Sequence, residues 1–205
     1  LLVTEIIAVD PEAIAQSSTV TGFDQTNEEA FRTIARDVGE EEALIIGQLW
    51  HPGRQQLWHP TKTPIGVSNL PDPYSGTVPH VMDTKEVYRV AEAYINTAKR
   101  LADCGFDGVE LHGAHGYLIT QFLSAASNIR DDEFGGDTVS RTLFIRNLAQ
   151  GIKEACGKNF IVGLKMPADE GVEGGVDPNE AEQITGLLSA TNNFDYFSYG
   201  QGNFS

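Results

Sequence analysis

Residues 85–112 read KEVYRVAEAYINTAKRLADCGFDGVELH, and this stretch decides the fold. Val87, Val90, Ala91, Tyr94, Ile95, Ala98, Leu101 and Ala102 recur at three- and four-residue spacing, the period of a helix with one apolar face. Asp83 and Glu86 stand just ahead at capping-box spacing, in which the cap side chain takes a backbone N–H and the acid reaches back. After Gly105 the period changes. Phe106 to His112 is a near-continuous apolar run of strand length, as expected where both faces are covered. A helix passing through a short turn into a doubly buried strand is half of a β-α-β unit.

The same alternation extends in both directions. Apolar runs predict strands over 1–9, 43–50, 106–112, 160–166 and 194–199. Helical periodicity predicts helices near 27–38, 85–103, 141–156 and 178–190, carried by Phe31, Ile34 and Val38, then Phe144, Leu148 and Ile152, then Ile184, Leu187 and Leu188. Thr26 with Glu29 has capping-box spacing, and Asp177-Pro178 with Glu180 puts proline at a first helical position. Strand and helix alternate four times and a fifth strand follows, which means a parallel α/β sheet, either an open doubly wound sheet or a (β/α)8 barrel. The stretches 51–83, with prolines at 52, 60, 64, 71, 73 and 79, and 113–140 are long. Both follow strand C-terminal ends, where such folds build their sites. No GxGxxG follows a strand, so a dinucleotide-binding Rossmann reading is weak.

Composition narrows the function classes. Of 205 residues, 14 are Lys or Arg and 29 Asp or Glu, a formal charge of −15, and 40% are hydrophobic. One acidic globular unit is expected, with no basic stripe to meet nucleic acid or anionic lipid. No apolar run approaches a membrane span and no basic N-terminal region precedes one, so a cytoplasmic protein is expected. Cys104 and Cys156 lack any CxxC or Cys/His ligand spacing and read as buried thiols in a reducing compartment. The first residues start inside a predicted strand without an initiator Met and the last stop just after another, so both ends read as cut.

Polar residues gather toward the ends of the predicted strands: Thr4 and Glu5, then Gln48, Trp50 and His51, then Glu110 and His112, then Lys165. Buried parallel strands normally avoid such residues, and four strands breaking the rule at one end point to a shared site. His112-Gly113-Ala114-His115-Gly116-Tyr117 is the most informative run. Two imidazoles three apart can converge on one electronegative oxygen, and a phenol two further on can supply a proton. The same histidines could instead hold a metal, with Lys165 nearby, as in a metal-dependent hydrolase barrel. Gln48 offers an acceptor and donors that match an imide such as the pyrimidine edge of a flavin, and Lys165 offers positive charge where a reduced flavin gains negative charge.

VTEIIAVDPEA near the start, IIGQLWHPGRQ at 45–55 and above all GFDGVELHGAHGYLITQFLSAASNIRDDEFGGDTVSRTLF at 105–144 resemble the old yellow enzyme family of FMN-dependent NAD(P)H oxidoreductases, or ene reductases. The resemblance continues in order through IVGLKMPADEG and FDYFSYG. It implies a (β/α)8 TIM barrel that is incomplete, holding about strands 2 to 6, with residues 1–205 forming part of an FMN-binding domain. By motif, His112 and His115 resemble the pair that binds the substrate oxygen, and Tyr117 resembles the proton donor. Gln48 resembles the amide that holds the flavin pyrimidine edge, and Trp50 would lie near flavin and substrate. Lys165 stands where the family commonly has an arginine beside flavin N1 and O2; it keeps the charge and loses the bidentate fork. Ile6 stands where a smaller residue often turns its backbone N–H to the flavin. The implied reaction takes hydride from NADH or NADPH and reduces an activated alkene, with a small-molecule substrate as partner and a homo-oligomer left open. The loops that would bind the FMN phosphate are expected outside these residues, which keeps a flavin-free fragment as a further alternative.

Overall fold

Apolar runs too short for helices satisfy their backbone groups by pairing with one another. In the computed structural model, which describes residues 1–56 and 62–203, they form one six-stranded parallel sheet. The strands are β1 (Leu2–Ala8), β2 (Val20–Thr21), β3 (Ile45–Trp50), β6 (Gly108–His112), β7 (Ile161–Asp169) and β8 (Tyr196–Gln201), in the order β2-β1-β3-β6-β7-β8. A separate two-stranded parallel ladder joins β4 (Ile65–Gly66) and β5 (His80–Val81) within the first long loop. Pro60 of that loop lies outside the described residues.

Strand order chooses between the two α/β architectures. From β1 through β8 the long strands lie side by side in sequence order, without the reversal that creates a doubly wound sheet. Right-handed crossovers between strands that never reverse place every helix on one face. The long helices are α1 (Glu28–Glu40), α2 (Thr84–Asp103), α5 (Leu143–Cys156) and α6 (Pro178–Ser189). Helix α2 packs on β3 and β6 and against α5, while α5 and α6 pack on β7. The sheet is an arc of a (β/α)8 barrel, and its helix-free face is the barrel interior.

Alternation along each strand sends Ile7, Leu49, Leu111 and Leu164 to the helical side, where they are buried with Val90, Tyr94, Leu101, Leu148 and Ile152. Each such side chain stabilises by about 1.5–3 kcal/mol. Phe122 stacks on Phe144 at 4.2 Å between centroids and Tyr94 meets Phe144 edge-on at 6.3 Å, closing the layer below the second long loop.

Several expectations change on inspection. Thr4 and Glu5 do not end their strand: they sit at a bulge between Val3 and Ile6, where the Thr4 hydroxyl accepts the Gln48 backbone N–H at 3.1 Å, and the strand continues to Ala8. Thr26 does not cap α1. It belongs to a preceding 3-10 turn capped by Asp24, whose carboxylate takes both the N–H and the hydroxyl of Thr26, and Asn27 begins α1 without a side-chain cap. Asp83 and Glu86 do form the reciprocal box on α2. Asp177 caps α6 ahead of Pro178, while the Glu180 side chain turns aside to Arg141. Cys104 is buried but Cys156 is only half-buried, and both are free thiols. The stretch 113–140 contains a further helix, α3 (Leu118–Leu123), and another, α4 (Thr138–Arg141), begins at its end.

His51, directly after β3, is buried; its Nδ1 accepts the Gly53 N–H at 3.0 Å. Burial pushes its pKa down to about 4, with Asp10 pulling it up and Arg89 adding to the depression.

Two stability measurements follow from this packing. Asp83→Ala should cost about 1 kcal/mol in urea unfolding, whereas Thr26→Ala should cost under about 0.5 kcal/mol, because of these two residues Asp83 alone caps a long helix. Below pH 6.5 the unfolded chain binds protons that buried His51 refuses, so stability present at neutral pH falls as pH drops toward 4, by up to about 1.4 kcal/mol per pH unit for this group. Unfolding free energy from urea titrations between pH 6.5 and 5 should fall with this contribution on top of a like one from buried His112, and His51→Asn should remove only the His51 share.

Candidate functional site

Parallel pairing aligns residues in rows across the interior face. Ile6 pairs with Gln48, Gln48 with Glu110, Glu110 with Gly163 and Gly163 with Tyr196. Two residues further along each strand, on the same face, a second row begins with Ala8 beside Trp50 and ends with His112 beside Lys165 and Lys165 beside Ser198. Trp50 and His112 come side by side one step beyond the last paired residues, Leu49 and Leu111. Ile6, Gln48, Trp50, His112 and Lys165 therefore share one face at one end of the sheet.

His115 and Tyr117 join them through a turn that leaves β6. His115 has φ +62 and Gly116 φ +77, two successive left-handed residues that fold the chain back over the strand end. At Gly116 a Cβ would lie 2.0 Å from Asn203 Oδ1, so only glycine fits there. Gln55 Nε2 donates to the His115 carbonyl at 3.2 Å and to Asn203 Oδ1 at 3.4 Å, and Asn203 Nδ2 donates to Glu170 at 3.0 Å. Gln121, fully buried on α3, donates to the carbonyls of Gly116 at 2.8 Å and Pro52 at 3.2 Å and accepts the Arg54 N–H. These side chains tie the loop after β3 to the turn after β6. Sequence reading assigned none of them a role, because most of their partners lie far away in sequence.

Four rings converge above the second row. The His112 and His115 centroids are 5.3 Å apart at 77°, His112 and Tyr117 5.2 Å at 89°, and Trp50 and Tyr117 5.2 Å at 84°. Edge-to-face contacts of this kind hold rings at fixed angles. His112 Nδ1 accepts the Ala114 N–H at 3.4 Å, which assigns its ring proton to Nε2. Burial lowers the His112 pKa to about 3, with His115 and Lys165 adding to the shift. Burial and then Lys165 lower His115 as well, and burial raises Tyr117 above the usual phenol value. At neutral pH the site therefore presents two uncharged imidazoles and an intact phenol.

One row below, the Gln48 amide nitrogen donates to Glu110 Oε1 at 2.7 Å, and the Tyr196 hydroxyl donates to Glu110 Oε2 at 3.0 Å. Gln48 keeps one amide N–H and its carbonyl oxygen for another partner. The Trp50 indole N–H is buried without a hydrogen-bond partner. An adjacent donor and acceptor, an unsatisfied indole N–H and the Lys165 ammonium suit a planar, polar-edged ring system such as a flavin. Among the described residues, no three His, Cys, Asp or Glu side chains come together as metal ligands, so the hydrolase alternative finds no ligand set around the histidines. Nor is any described helix long and apolar enough to cross a membrane.

Comparison with known proteins bears on the family and the fold. Residues 1–197 match the NADH:flavin oxidoreductase / NADH oxidase family. Over 191 residues the chain is 34% identical to an NADH oxidase of Thermoanaerobacter brockii, covering 92% of this chain and 29% of that protein. It is 32% identical over 213 residues to an NADH-dependent flavin oxidoreductase of Aspergillus parasiticus, covering 99% of this chain and 48% of the relative. The chain thus spans half or less of the length of these two relatives. The solved structure of an old yellow enzyme homologue from Zymomonas mobilis superposes with a TM-score of 0.81 at 23% identity, over 99% of this chain and 60% of that one, and shares the fold. The chain belongs to the NADH:flavin oxidoreductase / NADH oxidase family.

Proposed function

We propose that the protein carrying these residues is an FMN-dependent oxidoreductase that uses NADH or NADPH to reduce an activated alkene conjugated to an electron-withdrawing oxygen. The observation that carries the reading is the convergence of His112, His115, Tyr117 and Trp50 above the row that holds Gln48. The names of the two relatives, an NADH oxidase and an NADH-dependent flavin oxidoreductase, support the nucleotide and the flavin.

Gln48, Lys165, Trp50 and the backbone at Ile6 are the residues that would hold the flavin. Bound there, it would accept hydride from the nicotinamide and pass it to the alkene β-carbon. His112 and His115 would donate ring N–H groups to the substrate oxygen. Because both imidazoles are uncharged and their rings are fixed before substrate arrives, they stabilise the charge that develops on that oxygen without reorganising. Tyr117 would protonate the α-carbon; its raised pKa keeps the hydroxyl loaded between turnovers. Trp50, edge-on to Tyr117, fixes the phenol ring and keeps water from its face.

In the full-length protein loaded with FMN, NADH or NADPH added without oxygen should bleach the flavin bands; no retained flavin in that protein would end the enzyme reading. Tyr117→Phe should keep nucleotide-dependent bleaching within about threefold while alkene-dependent recovery of the bands slows by about 10²–10⁴. An unchanged recovery rate would remove Tyr117 as the proton donor. His112 titrates at about 3, His115 is held below its usual 6.5 and Tyr117 above the usual phenol value, so kcat/KM for the alkene should be level across neutral pH, from about 7 to 9, with no histidine inflection near 6.5. An inflection there would show a histidine that titrates at its ordinary value in the free enzyme, against the neutral, fixed pair.

A further inference from the structure

Glu110 has no role in the chemistry above, yet it is a buried carboxylate in the middle of the lower row, 4% exposed. Its two oxygens are used by donors arriving from opposite sides along that row: Gln48 Nε2 at 2.7 Å on one and the Tyr196 hydroxyl at 3.0 Å on the other. The strand between Glu110 and Tyr196 carries Gly163 at this level, and a Cβ there would lie 2.2 Å from the Tyr196 ring. The ring thus occupies the place of a missing side chain, which lets its hydroxyl cross one strand to reach the carboxylate.

A primary amide can ordinarily present either end, and its orientation follows its partners. An ionised carboxylate only accepts. Facing Glu110, Gln48 must turn its nitrogen inward, which leaves its carbonyl oxygen and one N–H as an adjacent acceptor and donor. That pair complements an imide N–H and its neighbouring carbonyl.

We propose that Glu110 is a positioning residue: braced by Tyr196 across Gly163, it fixes the Gln48 amide so that Gln48 reads the imide edge of a bound flavin. The assignment rests on the flavin reading of the site. It also explains why a charged side chain occupies an interior row: a neutral amide at 110 would not hold Gln48 with its nitrogen inward. With Tyr196 still donating to the carbonyl oxygen of that new amide, its nitrogen would face Gln48 and capture Gln48 Oε1. Gln48 would then offer the flavin donors only.

The test compares FMN with FMN methylated at N3, which lacks the imide N–H, by fluorescence titration of the full-length wild-type protein and Glu110→Gln. The wild type is expected to bind FMN at least tenfold more tightly than the methylated flavin. In Glu110→Gln, FMN affinity should fall about tenfold while that for the methylated flavin stays within about threefold, so the preference collapses. Should that variant not fold, Glu110→Asp, which keeps the charge and withdraws it from Gln48 by one methylene, should lower the same ratio. A wild-type preference that survives these substitutions, even with both affinities weakened together, would reduce Glu110 to a structural role and overturn the assignment. A wild-type protein that binds neither flavin would instead overturn the flavin reading on which it rests.

Discussion

In a parallel ladder the neighbours of a side chain are decided by register, because residues two apart share a face and paired residues share a row. The whole interior of this arc depends on that constraint. From β3 through β6 to β7 the pairing runs without a shift, so Gln48, Glu110 and Gly163 stand abreast, and His112 stands beside Lys165 one level up. A one-residue slip of β6 would bring Leu111 into the polar row and drive His112 among the helices. Register also explains the bulge in β1: the extra residue between Val3 and Ile6 brings Ile6 abreast of Gln48, and the Thr4 hydroxyl takes up the Gln48 N–H there.

Beyond the last row the constraint changes from pairing to loop chemistry. His115 in the left-handed region costs about 1–2 kcal/mol, since its Cβ crowds the following carbonyl. Hydrogen bonds contributing about 0.5–1.5 kcal/mol each offset that cost. The bonds from Gln55 to the His115 carbonyl and from Gln121 to Gly116 and Pro52 do so while anchoring the turn to the loop after β3. The second long loop is held in the same way: Arg130 donates to the carbonyls of Val67 and Met82 on either side of the β4–β5 ladder, and Asn128 donates to those of Phe122 and Phe134. Long connections thus become fixed walls around the strand ends.

This division accounts for what the sequence disclosed. Period and apolarity are local, so the five long strands and four long helices were legible, as was the gathering of Gln48, Trp50, His112 and Lys165 at one end. Strand order was not local: helix-strand alternation left the doubly wound sheet open until the unreversed order β1-β3-β6-β7-β8 excluded it. Helix α3 escaped notice because LITQFL is buried all round and shows no amphipathic stripe. Thr26 had the spacing of a cap, but Asp24 two residues earlier takes both its N–H and its hydroxyl, which draws Thr26 into the preceding turn. Glu110 was visible only as a polar residue in an apolar run; its meaning lies in Tyr196, 86 positions away.

Electrostatics joins the two rows. The chain carries −15 overall, yet the charge acting on the histidines is that of Lys165, which adds to the larger effect of burial in lowering both of their pKa values. A carboxylate at that position would do the reverse and draw a proton onto the imidazoles near neutral pH. Burial and Lys165 together keep His112 and His115 uncharged at neutral pH, so the positive charge at this level sits on the strand rather than on an imidazole. The negative charge of Glu110 sits one level lower, engaged on both oxygens by Gln48 and Tyr196. With the carboxylate below and the cation above, one face holds two uncharged imidazoles beside a lysine, and the charge of that lysine works in the same direction as burial on the rings next to it.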